Sequence, residues 1–268
     1  MKNFKIYCVT DKVNDFLDSL NYEIGWVGHD IPPVNYISCN NRDNIFYKEK
    51  YYSELTFHYW YWKNMFNDQT NLEWIGFCQK RRFWANQKID KNSKINLFDT
   101  TNFLSQIPKS WEKYDAIICE SIELSGVKRM KIFKRGNRSL IKDPSILWNK
   151  KKHTIKLHFD MHHGYGNLIK AANLLEKEDR NDFIEYINTS TNFHPNIMFV
   201  AKPKIVNLWF NALFPWLLRC EKIFGFDKLH GYDTQRLYAY LGERYLSFWF
   251  KKNSNYLTWP LIFRDISC

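Results

Sequence analysis

The stretch Leu72-Glu73-Trp74-Ile75-Gly76-Phe77-Cys78-Gln79-Lys80-Arg81-Arg82 decides how the chain is read. From Leu72 to Cys78 it is short, aromatic and β-branched, the composition of a strand in the interior of a sheet, and it stops at one amide and three cations. Working outward, Lys5 to Thr10 is a second such strand, with Asp11 placed to open a helix. Tyr52 to Asn64 lacks Gly and Pro and carries Leu55, Tyr59 and Trp62 at helical spacing; Ser53 is placed as its N-cap with Glu54 behind it. Tyr114 to Cys119 is a third strand, ending at Glu120. Strands separated by helical segments predict a mostly parallel sheet with helices on both faces, built as one α/β domain over residues 1–268.

Beyond that frame, Gly28 to Asp43 holds Pro32-Pro33 and ends in Asn40-Asn41-Arg42-Asp43, the residues of a ligand loop. Gly126 to Lys152 is rich in Lys and Arg with little periodicity and reads as a loop. Helices are expected at Tyr165–Leu175, Asp179–Ile187 and Pro203–Phe224, a strand at Ile197–Ala201, and a closing helix at Thr234–Phe250.

The net charge of +11 calls for an anionic partner: nucleic acid, an anionic membrane face or a phosphorylated substrate. Aromatic residues make up 18% of the chain, which suits stacking on bases and sugars and equally suits core packing, the expected use of most of them. The six cysteines show no Cys-x-x-Cys spacing and read as buried thiols in a reducing compartment. Neither a secretory leader nor a membrane-spanning segment is expected, so the protein is assigned to the cytoplasm, with peripheral contact to an anionic membrane left open.

In an open parallel sheet, ligands lie beyond the carboxyl ends of the strands. That rule selects Thr10, Gln79 to Arg82, Glu120 to Ser121, and the segment after Ala201. Two guanidinium forks at Arg81 and Arg82 could clamp a diphosphate without a metal; the same run also reads as a solvated basic turn. His158 and His162 have the i, i+4 spacing of a shared metal, but no zincin Glu accompanies them, so surface or substrate-contacting histidines are the expectation. Asp233 can cap the last helix or serve as a general base toward a sugar hydroxyl; Glu243, about 15 Å along that helix, is assigned a structural pairing with a neighbouring Arg. The P-loop, the dinucleotide glycine fingerprint and the hydrolase elbow are all missing from the sequence.

Three blocks in order, Tyr52-Ser53-Glu54-Leu55-Thr56, Tyr59-Trp60-Tyr61-Trp62-Lys63-Asn64 and Ile75-Gly76-Phe77-Cys78-Gln79-Lys80-Arg81-Arg82-Phe83, resemble the core of a bacterial family of capsular and exopolysaccharide glycosyltransferases known as a domain of unknown function. Asp43-Asn44-Ile45, His162-His163, Asn196-Ile197-Met198-Phe199 and Glu243-Arg244-Tyr245-Leu246-Ser247-Phe248-Trp249 extend the likeness along nearly the whole chain. The resemblance implies a Rossmann-like, A-type glycosyltransferase using a nucleotide-sugar, a uridine diphosphate hexose or hexofuranose, and an oligosaccharide or lipid-linked acceptor. It implies donor contacts from Thr10, Asp43, Asn44, Glu54, Gln79, Arg81 and Arg82, acceptor contacts from His162, His163 and Asn196, and Asp233 as the base. Gln79-Lys80-Arg81-Arg82 stands where such folds carry a metal-binding Asp-x-Asp, so no metal cofactor is expected, Mn or Mg being the alternative. Gln79-Lys80 replaces the family's usual His-Tyr, and Ser53 its usual Cys. A nucleic-acid-binding protein and a non-catalytic scaffold of polysaccharide assembly are the alternative functions; the scattered basic residues and the lack of a recognition motif count against nucleic acid.

Overall fold

The computed structural model describes residues 3–69, 71–89, 96–126 and 129–265. Its contacts cluster into two compact units, one from the described residues within 1–120, 196–211 and 250–268, the other from those within 121–195 and 212–249.

The first unit is built on a nine-stranded mixed sheet. Its strands are β1 (Phe4–Thr10), β2 (Glu23–Trp26), β3 (Ile37–Ser38), β4 (Trp74–Gln79), β5 (Arg82–Trp84), β6 (Ala116–Cys119), β9 (Phe199–Ala201), β10 (Tyr256–Trp259) and β11 (Leu261–Phe263); β7 (Ile122–Glu123) and β8 (Asn192–Phe193) form a small antiparallel pair in the second unit. The sheet order is β10-β6-β9-β4-β1-β2-β3, with β5 bridging β4 and β11. Parallel pairing joins β4, β1, β2 and β3, and also β10 and β6; β9 runs antiparallel between β4 and β6. The carboxyl ends of β1, β2, β4, β6 and β10 therefore share one edge, at which β9 begins.

Strand alternation assigns the two faces. Phe4, Ile6 and Cys8 of β1 and Trp74 and Cys78 of β4 join a buried cluster with Phe16 and Leu17 of the helix Asp15–Ser19. On the other face Tyr7 stacks on Phe77 at 5.6 Å, and Tyr61 of the helix Leu55–Asn64 closes on both, at 4.8 and 5.2 Å. Helices on both faces were expected, and each fully buried aromatic contributes about 1.5–3 kcal/mol. Gly76 lets β4 pass its neighbours: a Cβ there would lie 2.4 Å from Ile6 Cδ1 and 2.9 Å from Val200 Cγ2.

Several local expectations are corrected. The helix expected at Asp11 begins at Asp15, because Asn14 caps it by accepting from Phe16 N–H at 3.0 Å. Ser53 does not cap through its side chain; its backbone turns left-handed at φ 51°, ending the short turn Glu49–Tyr52, and its carbonyl accepts from Thr56. Gly126 to Lys152 is not a loop. Its described part forms helices Arg129–Arg135 and Asn137–Lys142, held by a satellite core in which Leu140 packs on Ile132, Ile146, Leu157 and Met161. The last helix is Leu237–Asn253, and it does not close the fold, since β10 and β11 follow it. Helix Pro203–Phe224 keeps its expected bounds, with Pro203 in the first turn, where its missing N–H costs nothing. Cys8, Cys39, Cys78, Cys119 and Cys220 are buried free thiols; Cys268 lies outside the described residues. Among the described residues no helix is long and apolar enough to cross a membrane.

Candidate functional site

At the carboxyl edge of the first unit, Lys80 and Arg81 form a two-residue turn, and Gln79 pairs antiparallel with Arg82. Neither turn residue adopts a positive φ. Such turns splay the strands they join, which explains why β5 leaves β4 after one pair and continues alongside β11. The basic run is thus a hairpin, which the lack of Gly or Asn hid from the sequence. It is fixed on both sides: Lys80 N–H donates to the Val9 carbonyl at 3.1 Å, and Arg264 N–H donates to the Arg81 carbonyl at 3.1 Å.

The cations of this turn have different fates. Lys80 is ion-paired with Asp11. Burial raises the Asp11 pKa, but the Lys80 hydrogen bond and charge outweigh it and hold the carboxyl below its ordinary value. Arg81 and Arg82 form no ion pair among the described residues; the Arg82 guanidinium lies 5.7 Å from the Phe263 ring centre. Two partly exposed guanidinium groups without carboxylate partners have the chemistry to accept an anion.

Beside the turn, strand parity puts Gln79 on the face covered by helix Leu55–Asn64, and Glu54 immediately precedes that helix. Gln79 Nε2 donates to Glu54 Oε1. Thr10 is buried at the end of β1, where its hydroxyl donates to the Lys12 carbonyl at 2.8 Å and accepts from Lys12 N–H at 3.0 Å. Thr10, Glu54, Gln79, Arg81 and Arg82 are therefore brought to one edge. Asn196 lies in the loop entering β9 at the same edge, with left-handed backbone at φ 68°, a conformation Asn tolerates. Asp43 and Asn44 do not join them. Asp43 accepts from Tyr59 Oη at 3.1 Å and its N–H donates to Asn64 Oδ1 at 3.3 Å, and Asn64 lies about 15 Å along the helix from Glu54. Asn44 Oδ1 accepts from Phe46 N–H at 3.1 Å, closing a local turn.

The second unit gathers the remaining expected residues. His158 and His162 share a face of helix Ile155–His162, with ring centres 4.7 Å apart. Arg135 Nη1 lies 2.8 Å from His162 Nδ1 and donates to Asp233 Oδ2 at 2.8 Å, so one guanidinium joins the histidine to the carboxylate. His163 Nδ1 donates to the Asp233 carbonyl at 2.8 Å, and its ring stacks on Tyr240 at 3.7 Å. Asp233 does not cap a helix. Gly231 precedes the turn Tyr232–Gln235, and Asp233 Oδ1 has no hydrogen bond among the described residues. Glu243 pairs with Arg244 as expected, and the buried Arg244 guanidinium also lies 3.9 Å from the Phe193 ring centre and 3.3 Å from His158 Nδ1.

These surroundings keep all three histidines neutral at pH 7. Burial lowers the His162 pKa to about 4, with Lys131 and Arg135 pushing the same way and Asp233 opposing. Burial and then Arg244 lower His163 to about 3, and the same two causes depress His158. Sequence reasoning missed Arg135. Its signal was the spacing of Lys131, Lys134 and Arg135, which marks one helix face inside a stretch taken for a loop.

Beside Gln79 stand Lys80, Arg81 and Arg82 together with the carboxylates of Glu54 and Asp11, and among the described residues no three His, Cys, Asp or Glu side chains are grouped to hold an ion. His158 and His162 each have an arginine against Nδ1.

Over 99% of its length the chain is similar to a solved structure described as the WbbM bifunctional glycosyltransferase in its apo state, with a TM-score of 0.75 and 18% identity. It spans 45% of that protein's chain, and the likeness is one of fold. The mixed, mostly parallel sheet with helices on both faces, shared with that structure, is therefore the fold found, as expected. No curated protein matches the chain. Residues 5–254 match the family model described as Domain of unknown function (DUF4422), the kind of family that the ordered motifs around Glu54 and Gln79 resemble. The chain belongs to this DUF4422 family.

Proposed function

We propose that the chain is a glycosyltransferase that moves a sugar from a nucleotide-sugar, a uridine diphosphate hexose or hexofuranose, to a growing surface polysaccharide or lipid-linked acceptor. The observation that carries this reading is the hairpin at the carboxyl end of β4, which presents Arg81 and Arg82 without carboxylate partners in a fold shared with a glycosyltransferase.

As the glycosidic bond to the diphosphate breaks, negative charge grows on the leaving oxygen. Arg81 and Arg82 offset it from fixed positions, the part a divalent ion plays in other enzymes, and transfer is metal-independent. Gln79 and Glu54 orient the donor sugar, and Thr10 is assigned to the nucleoside. Asp233 accepts the proton of the attacking hydroxyl through Oδ1 while Arg135 holds Oδ2. His162, His163 and Asn196 are assigned to the acceptor. The protein is assigned to the cytoplasm, with peripheral contact to the inner membrane face left open.

The test is a thermal-shift panel of nucleotide-sugars followed by turnover of the stabilising donor, with and without chelator. A shift with one uridine diphosphate sugar and turnover indifferent to chelator is expected. Activity abolished by chelator and restored by manganese would sink the arginine mechanism. Steeply salt-dependent retention of RNA or DNA without donor turnover would favour the nucleic-acid alternative.

A further inference from the structure

Within the second unit lies a cleft of about 660 Å³, lined by Ile122, Leu124 and Met130 and by Lys131, Lys134 and Arg135. Its volume is that of a small-molecule site. The three cations fall at i, i+3 and i+4 on helix Arg129–Arg135 and so share one face. Lys131 and Lys134 form no ion pair among the described residues, and Glu123 is the one carboxylate in the lining, so positive charge is in excess. Glu123 is itself turned to a neighbour, accepting from Asn192 Nδ2 at 3.3 Å. On the apolar side Met130 and Ile122 are 67% and 43% exposed, apolar surface adjoining a cationic one. His158 also lines the cleft, and Arg135 ties the lining to His162 and Asp233.

A sugar alone needs neither surplus cations nor an exposed apolar wall. We infer that this cleft seats a phosphorylated amphiphilic acceptor, its phosphate or diphosphate on Lys131, Lys134 and Arg135 and its apolar chain along Ile122, Leu124 and Met130. The inference rests on the proposed function for the word acceptor, since that reading gives the donor diphosphate to Arg81 and Arg82. It chooses the amphiphilic acceptor over a free polysaccharide, gives its phosphate and its apolar chain a place in this cleft, and names two lysines that no sequence motif marked.

Titration calorimetry on the full chain tests it with geranyl diphosphate, inorganic pyrophosphate, geraniol and uridine diphosphate, each against wild type and Lys131→Ala/Lys134→Ala. Both lysines are exposed, so the variant should fold, and circular dichroism checks that it does. Geranyl diphosphate is expected to bind, inorganic pyrophosphate at least several-fold more weakly and geraniol not at all, with the double variant losing ten-fold or more for geranyl diphosphate and nothing for uridine diphosphate. Unchanged geranyl diphosphate affinity in the variant, or no binding to wild type, overturns the site. Equal affinity for pyrophosphate and geranyl diphosphate overturns its amphiphilic character. Loss of uridine diphosphate binding in the variant overturns the acceptor assignment and moves the donor here. Failure of uridine diphosphate to bind either protein, with the geranyl diphosphate result intact, removes the donor reading while leaving the cleft as a phosphate-ester site.

Discussion

His58 is fully buried on the helix that follows Glu54, with its ring centre 4.3 Å from that of Phe77 and about 6 Å from those of Phe199 and Phe210. Neither ring nitrogen meets a hydrogen-bond partner among the described residues. Burial pushes its pKa down from 6.5 to about 3. The native pKa lies below the unfolded one, so above about pH 6.5 the ring is neutral in both states, and below it only the unfolded chain takes up a proton. Stability is therefore intact at neutral pH and is lost as pH falls from about 6.5 toward about 3, at up to about 1.4 kcal/mol per pH unit. From pH 7 to pH 5 this group alone costs about 2 kcal/mol. In His58→Leu that cost disappears, while the other depressed histidines act equally on both proteins and cancel. The variant should also gain stability at pH 7, because an unpaired buried polar group costs about 1–3 kcal/mol. Urea titrations at pH 7 and pH 5, followed by circular dichroism and Trp fluorescence with coincident transitions, measure both effects. A wild-type-to-variant gap that is the same at both pH values would show that the native ring is paired or hydrated, and the argument from burial would fail.

Arg82→Ala should raise the donor KM and lower kcat, with kcat/KM falling roughly 10- to 100-fold for the loss of a charge-assisted contact; Arg81→Ala should act in the same direction, and steady-state kinetics with varied donor reads both. Asp233→Asn should lower kcat by about 10²- to 10⁴-fold with donor KM nearly unchanged, and an equal loss in both parameters would take the base role away from it. Gly76→Ala should destabilise by about 1–3 kcal/mol, since its new methyl meets Ile6 and Val200 in the middle of the sheet; thermal unfolding is the readout.

The sequence showed most plainly what local composition specifies. β1, β4 and β6 are apolar runs cut off by polar residues, and Pro203–Phe224 is long and capped by its own first-turn proline, so these elements were legible. β5 was not, because Arg82-Phe83-Trp84 becomes a strand by pairing with β11, about 180 residues later. β10 was lost for the same reason: its partner is β6. Helices Arg129–Arg135 and Asn137–Lys142 show too few apolar side chains for a periodic signal and are held from outside by Leu157 and Met161. In the candidate site, positions at strand ends were foreseeable from topology, and Gln79 met Glu54 as the fold requires. The Arg135 bridge between His162 and Asp233 was not, because it spans about a hundred residues and rests on a helix read as a loop.

The place of β9 in the sheet bears on how the chain must be made. Among the described residues β6 pairs only with β9 and β10, both of which are synthesised later. About 80 residues separate the end of β6 from the start of β9, so at about 5–20 residues per second the segment Ala116-Ile117-Ile118-Cys119 waits roughly 4–16 s for its first partner. Throughout that interval an apolar strand has both edges open, which is the condition for pairing with another chain. The interval between these strands is thus the window in which a nascent copy is most exposed to aggregation, and in which a chaperone would have most effect.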